Sequence, residues 1–235
     1  MRLNKFLAHA GIASRRRCDE LINAGKIKIN HHVVYDFSYQ VTEEDYVECG
    51  GNVVQWKVER VVYLLNKPAG YICSSNDPQH RKKVLDLLPD KHRLFTVGRL
   101  DRDTTGALLI TNDGDLAYKL THPKFEIEKC YIVVTKNDIP YQKLKLIKNG
   151  IRLDNAEIAK GRIRRLEKKE KKVIWELILT EGKNREVKRL FLVLGTNVDS
   201  LHRKYFAGIS VENLKPGRFR RIKKTELNRL IQESS

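Results

Sequence analysis

Near the N-terminus, apolar residues recur at helical spacing. Leu3, Phe6, Leu7 and Ala10 stand at i, i+3, i+4 and i+7, the pattern of one helix face, and Gly11 ends the run. Ser14 is placed to cap a second helix with Cys18, Leu21 and Ile22 on its apolar side and Gly25 at its end. Lys26-Ile27-Lys28-Ile29 then alternates as a strand does, and Asn30-His31-His32 turns the chain. Gly50-Gly51-Asn52 marks another turn, and residues 53–59 read as the end of this arm or a linker. Beyond it the pattern changes. Val61-Val62-Tyr63-Leu64-Leu65 is continuously apolar, as a central strand buried on both faces is. Asn66-Lys67-Pro68-Ala69-Gly70 turns the chain, and residues 71–94 read as polar loop around one short amphipathic piece, Val84 to Leu88.

Phe95-Thr96-Val97 and Ala107-Leu108-Leu109-Ile110 are two further apolar runs. After a turn at residues 111–115, Leu116 and Leu120 mark a short helix that His122-Pro123 stops. Residues 128–134 form a strand with Tyr131 at its start, Lys168 to Lys172 read as an exposed hairpin tip, and Trp175 to Thr180 as a strand. Glu181 to Asn184 leads into a helix with Asn184 as its cap, Val187, Leu190, Phe191 and Leu194 as its apolar face, and Gly195 as its stop. Residues 198–209 contain His202, Arg203 and Lys204, and residues 215–224 are basic and turn-rich. A last helix is expected over 225–232, with Leu227, Leu230 and Ile231 on its apolar side.

Charge narrows the partners. The 235 residues carry 46 Lys and Arg against 29 Asp and Glu, a net charge of +17, so the expected partner is a polyanion, nucleic acid or an acidic membrane surface. No apolar run exceeds about five residues, against the ~18 that a membrane-spanning helix needs, and the first residues lack the apolar core of a secretory signal. Cys18, Cys49, Cys73 and Cys130 are scattered without a C-x-x-C pair, which speaks against a zinc site and a disulfide framework. A reduced, cytoplasmic setting is the expectation. Residues 1–34 hold seven basic and two acidic side chains, residues 35–59 one and six, as if one face met a polyanion and the other solvent. Arg15-Arg16-Arg17 opens the second helix, where cations oppose the macrodipole; phosphate contacts account for them better than helix stability does, a solvated surface being the alternative. Residues 160–224 hold 20 basic and seven acidic side chains.

The polar segment between the runs at 95–97 and 107–110 is where chemistry is expected. Gly98-Arg99-Leu100-Asp101-Arg102-Asp103-Thr104-Thr105-Gly106 is bracketed by glycines and held between buried strands, a rigid mount for a side chain. Arg99 and Arg102 flank Asp101 and favour its ionised form. These nine residues alone leave two readings open: an ordinary turn aspartate bridged to an arginine, or a reactive carboxylate. Tyr131 is open to two readings as well, packing or stacking on a base. Arg185, Lys188 and Arg189 are either solvated or a cationic surface for phosphate and a carboxylate. His122 could be imagined as a general base, but it has no Ser or Cys partner nearby and reads as a helix end; His80 reads as loop.

Several segments resemble known families. The order of helix, Gly-Ile-Ala-Ser-Arg-Arg turn, helix and basic strand, with Leu3-Asn4-Lys5-Phe6-Leu7-Ala8 and Ala13-Ser14-Arg15-Arg16, is similar over residues 2–48 to the small RNA-binding module named after ribosomal protein S4. Leu64 to Gly70, Gly98-Arg99-Leu100-Asp101, Thr105-Gly106, Leu109 to Gly114, Lys129-Cys130-Tyr131 and Glu181 to Leu190 resemble, in order, the signature blocks of the bacterial ribosomal RNA pseudouridine synthases, of the Rsu-type branch that carries an S4-like arm. His122-Pro123 through Tyr131, with Asn184 to Arg189, looks more like the enzymes acting on large-subunit ribosomal RNA.

The resemblance implies an α+β fold. The RNA-binding arm would span 1–58, and a catalytic domain built on a bent, mostly antiparallel sheet flanked by helices would span 59–235. It implies site-specific isomerisation of uridine to pseudouridine with the base flipped out of its stack, and neither metal nor nucleotide cofactor. By the same resemblance Asp101 is the essential carboxylate, whether it attacks C6 of the uracil, attacks the anomeric carbon, or assists a glycal path. Tyr131 stacks on the base, and Lys188 pairs with the aspartate, with Arg185 as the alternative for that role. Arg2, Lys5, Arg15, Arg16, Arg17, Arg99, Arg185 and Arg189 are the expected RNA contacts. The expected partner is ribosomal RNA or a pre-ribosomal particle, met as a monomer and without a membrane. Two other classes compete: a non-catalytic RNA-binding assembly factor, which charge and arm fit equally, and a peripheral membrane binder, which needs a wide apolar helix face with basic flanks.

Overall fold

The computed structural model describes residues 1–235 except 57–58, 75–76, 90–91, 155, 224 and 227–235; the helix expected over 225–232 lies almost wholly outside the described residues. The chain divides into two compact units, one made of Met1–Val61 with short segments around Arg93 and Asp113, the other of the remainder.

In the first unit, α1 (Leu3–His9) and α2 (Arg15–Asn23) precede a four-stranded sheet of β1 (Ile27–Ile29), β2 (His32–Val33), β3 (Val47–Cys49) and β4 (Asn52–Val53), ordered β2-β1-β3-β4. The Ser14 hydroxyl accepts from the Arg17 amide at 3.2 Å, as a cap should. Leu3, Phe6 and Leu7 meet Cys18, Ile22, Ile27 and Ile29 in one core, so the helical spacing visible in the sequence does bury one continuous face. The β3–β4 hairpin turns on Gly50-Gly51, both at positive φ, which a two-residue connection matching strand twist requires.

The second unit is built on a nine-stranded sheet. Its strands are β5 (Val62–Lys67), β6 (Phe95–Thr96), β7 (Thr105–Thr111), β8 (Lys129–Thr135), β11 (Gly161–Lys169), β12 (Lys172–Leu179), β13 (Val198–Phe206), β14 (Ile209–Ser210) and β15 (Phe219–Arg221). The order is β11-β12-β8-β13-β7-β5-β15, with β6 on β7 and β14 on β13. Among the described residues β13 and β7 are its parallel neighbours and the other named pairings are antiparallel. The connections hold α3 (Gly114–Thr121), α4 (Tyr141–Asn149), a small hairpin of β9 (Ile151–Arg152) with β10 (Ile158–Ala159), and α5 (Glu186–Val193). The fold class is therefore the α+β one expected. Leu116 and Leu120 of α3 pack with Leu64, Ala107, Leu109 and Phe206, while Phe191 of α5 lies edge-on to the fully buried Trp175 of β12, ring centroids 6.5 Å apart. The Trp175 indole N–H is satisfied by Thr135 Oγ1 at 2.9 Å.

Three local expectations change. Helix α4 and the β9–β10 hairpin occupy residues 141–159, where no element was expected. The basic, turn-rich stretch at 215–224 contains β15, which pairs with β5 and covers its outer side. Asn184 is not the cap of α5. Arg185 holds that position in the left-handed region, φ 47°, and the first turn is closed by the Glu186 carboxylate, which accepts from the Lys183 amide at 2.9 Å.

One glycine is dictated by packing. A Cβ on Gly106, at φ +106°, would come within 2.2 Å of the Arg203 carbonyl oxygen, because β7 and β13 meet there in register. Gly106→Ala is expected to lower stability by roughly 3 kcal/mol or more, since backbone must move. Gly70→Ala, also at positive φ but with open space around its Cβ, should cost only about 1 kcal/mol. Urea unfolding of both variants checks this; equal losses would contradict it.

Candidate active site

Residues 97–104 form the loop between β6 and β7 and carry Asp101. A lysine from the preceding strand braces it. Lys67, at the end of β5, is completely buried, and its ammonium donates to the carbonyls of Pro68 at 3.1 Å, Arg102 at 3.2 Å and Thr104 at 2.8 Å. The Gly70 amide also donates to the Arg102 carbonyl, at 2.8 Å, and the Thr104 amide to that of Asp101, at 3.1 Å. Burial lowers the Lys67 pKa, while Cys73, Asp103 and Asp101 pull it back up. A buried cation thus takes the place of water for loop carbonyls that face inward.

The Asp101 side chain is 36% exposed, and its cationic neighbour is Lys188 Nζ at 3.7 Å, from the first turn of α5, rather than a flanking arginine. The same ammonium lies 2.5 Å from Asp103, whose carboxyl it holds below the ordinary value. Asp103 is 72% exposed, so this tighter contact has the modest worth of a surface pair, about 0–1 kcal/mol, and leaves Lys188 shared between two carboxylates.

One cleft is lined by Arg99, Asp101, Tyr131, Arg185 and Lys188, so the structure brings together these five of the expected site residues. Tyr131 is buried on β8 and pairs in register with Arg203 of β13, which places the two side chains on the same face. Arg185 sits in the left-handed backbone region, an uncommon state for a side chain of this size. Arg189 turns elsewhere: it bonds Asp154 at 2.6 Å and Glu157 at 2.7 Å, tying α5 to the loop after β9. Arg2, Lys5, Arg15, Arg16 and Arg17 all belong to the first unit. The three arginines of α2 are exposed, Arg17 pairing with Glu20 at 2.5 Å.

The floor of the cleft holds charges that the sequence did not mark for function. Lys129 is buried and donates to the carbonyls of Ile127 at 2.8 Å and Thr180 at 2.7 Å. Burial and then Arg203 lower its pKa to about 8, against the pull of Glu186 and Glu181. Arg203 is also buried; its Nε donates to the Ala107 carbonyl at 2.7 Å, and its guanidinium lies over the Phe206 ring, 4.7 Å from the centroid. Glu186 is buried, and desolvation raises its pKa. An anionic loop residue, an aromatic ring and several cations around one concavity suit a ligand with an aromatic face and a negative backbone.

The chain as a whole is similar to known proteins. A family model described as RNA pseudouridylate synthase matches residues 61–192, and one described as S4 domain matches residues 1–47. The ribosomal large subunit pseudouridine synthase B of Bacillus subtilis (strain 168) is 41% identical over 232 residues, covering 97% of this chain and 95% of that protein. An uncharacterized RNA pseudouridine synthase of Aquifex aeolicus (strain VF5) is 35% identical over 235 residues, covering 99% of this chain and 94% of that one. A crystal structure of a pseudouridylate synthase matches with a TM-score of 0.70 at 30% identity, over 98% of this chain and 99% of its own.

Lys67→Met keeps an unbranched apolar side chain, one atom shorter, and removes the donors. It is expected to cost roughly 1–3 kcal/mol for the carbonyls left unsatisfied, read as a lower urea midpoint. Unchanged stability would mean that the loop does not depend on the ammonium.

Proposed function

The chain belongs to the RNA pseudouridylate synthase family, and from that premise we propose that it isomerises specific uridines of large-subunit ribosomal RNA, with Asp101 as the reacting carboxylate. As a family member it is an enzyme that converts uridine to pseudouridine. The large-subunit substrate is supported by the 41% identity to the Bacillus subtilis enzyme, and an RNA partner by the match of residues 1–47 to the S4 domain. The single observation that carries the site assignment is the convergence of Asp101, Tyr131 and Lys188 on one cleft.

The reaction breaks the N1–C1′ bond, rotates the uracil and forms a C5–C1′ bond. C5 loses a proton and N1 ends protonated, so nothing is oxidised and no atom is gained. Attack by the carboxylate at C6, attack at C1′ and passage through a glycal each require an anion touching the flipped nucleotide, and Asp101 would be that anion. Tyr131, which lines the same cleft, would stack on the uracil once it leaves the helix and help move a proton. Lys188, 3.7 Å away, would keep the carboxylate aimed. Arg99 and Arg185 at the rim would take the phosphates beside the flipped base, which offsets an unstacking cost of about a few kcal/mol.

In this reading residues 1–58 form the RNA-binding arm and 59–235 the catalytic domain. Arg2, Lys5, Arg15, Arg16 and Arg17 would anchor the arm to phosphates, the term that dominates affinity for nucleic acid. Ribosomal RNA or a pre-ribosomal particle is the partner, met in the cytoplasm by a monomer. Among the described residues no helix is long and apolar enough to cross a membrane.

Asp101→Asn keeps the shape of the side chain and removes its charge. On a large-subunit ribosomal RNA transcript it should bind within about threefold of the unaltered protein while forming pseudouridine at least about 1,000-fold more slowly. Filter binding and a pseudouridine-specific chemical readout measure the two. Product formed at the normal rate would remove Asp101 from the chemistry.

A further inference from the structure

The cleft contains more polar groups than the reaction above uses. Among the described residues six buried side-chain polar atoms lack a hydrogen-bond partner, and three of them, Thr104 Oγ1, Glu186 Oε1 and Arg203 Nη2, belong to residues that line this one cleft. Each such atom is costly to leave unpaired, and native proteins keep them where something else completes the bond. Part of the capacity of the two charged groups is already committed. Glu186 Oε2 accepts from the Lys183 amide at 2.9 Å, and Arg203 Nε donates to the Ala107 carbonyl at 2.7 Å. Buried and without a partner are the Glu186 Oε1 acceptor and the Arg203 Nη2 donor. Arg203 stands opposite Tyr131 across the β8–β13 ladder, and Glu186 begins the helix that carries Lys188.

Uracil presents an N3–H donor between two carbonyl acceptors. A carboxylate oxygen beside a guanidinium N–H complements that edge. Cytosine presents the reverse at two of its positions, a bare N3 lone pair and an amino group, so the same two side chains would face it acceptor to acceptor and donor to donor. We propose that Glu186 Oε1 accepts from N3–H of the flipped base and Arg203 Nη2 donates to the O4 carbonyl beside it, which makes these two residues the determinants of uracil selectivity. The proposal rests on the reading of this cleft as the uridine site and adds the residues that read the base. Both groups are desolvated before the base arrives, so each bond made there counts for more than it would at a wet surface, and a base that fails to make it leaves a buried charge unpaired.

The test uses the full-length protein. A synthetic RNA spans a uridine that the unaltered enzyme isomerises and carries uridine, 3-methyluridine or cytidine at that position. The unaltered enzyme should lose at least about 100-fold in kcat/KM when N3 is methylated, as sites that lose a designed hydrogen bond do. Glu186→Ala should be slower on uridine yet treat the uridine and 3-methyluridine RNAs within about threefold of each other, since the group that senses N3 is gone. Glu186→Gln, whose amide can also donate to a bare N3, should bind the cytidine RNA at least about tenfold more tightly relative to the uridine RNA than the unaltered protein does. A merely structural role for Glu186 would slow every substrate alike and leave the N3-methyl penalty and the cytidine-to-uridine ratio unchanged, and that result overturns the proposal. Should Glu186→Ala not fold, the Glu186→Gln binding ratio decides alone. If the unaltered enzyme forms no pseudouridine in any ribosomal RNA, the assignment of function itself fails. An active enzyme with an unchanged penalty and ratio removes only the base-reading role.

Discussion

A single buried ammonium group braces the loop that carries Asp101. Lys67 donates to three carbonyls, of Pro68, Arg102 and Thr104, and so closes the turn after β5 against the segment that carries Asp101. A loop that must present a carboxylate from a fixed point needs its backbone dipoles satisfied from inside, because water would let it relax. A cation does this well, since all three carbonyls present partial negative charge to it. Burying the ammonium opposes its charge, and the nearby Asp103, Asp101 and Cys73 offset that. The brace also couples to the electrostatics of the cleft, because two of the carboxylates that steady Lys67 are those shared by Lys188.

The second constraint is the seating of α5. Phe191 sits edge-on to Trp175, and Val187 and Leu190 are buried alongside, which fixes the rotation of the helix and turns Lys188 toward Asp101. Arg189, on the same helix, ties its flank to Asp154 and Glu157. The helix thus does two jobs with adjacent cations, one turned to the cleft and one to the scaffold, and residue type alone does not distinguish them.

Much of this was legible in the chain. The apolar runs at 61–65 and 107–110 did become the central strands β5 and β7, paired antiparallel, and the spacing of Val187, Leu190, Phe191 and Leu194 gave the buried side of α5. Helix α4 was also within reach: Tyr141, Leu144 and Ile147 recur at three-residue spacing between Pro140 and Gly150, and the helix runs between those two residues. Other features were not. Strand β15 lies in a stretch whose local composition reads as turn, and it exists because β5 offers it an edge, a tertiary effect that overrides propensity. Lys67 looks like a turn residue before proline, and Arg203 looks like part of a basic surface. Both are buried, and their partners, Thr104 for one and Ala107 for the other, lie 37 and 96 positions away in sequence, beyond a local reading. Arg185 as a left-handed cap could not be read either, since Asn184 beside it is the better capping residue by type.

The most direct measurement is a pseudouridine map of ribosomal RNA from cells lacking this protein, repeated after restoring either the unaltered chain or the Asp101→Asn chain. The account predicts that at least one pseudouridine of the large-subunit RNA disappears in its absence, returns with the unaltered protein and stays absent with the asparagine variant. A map that does not change, or one that the asparagine variant restores, would contradict it.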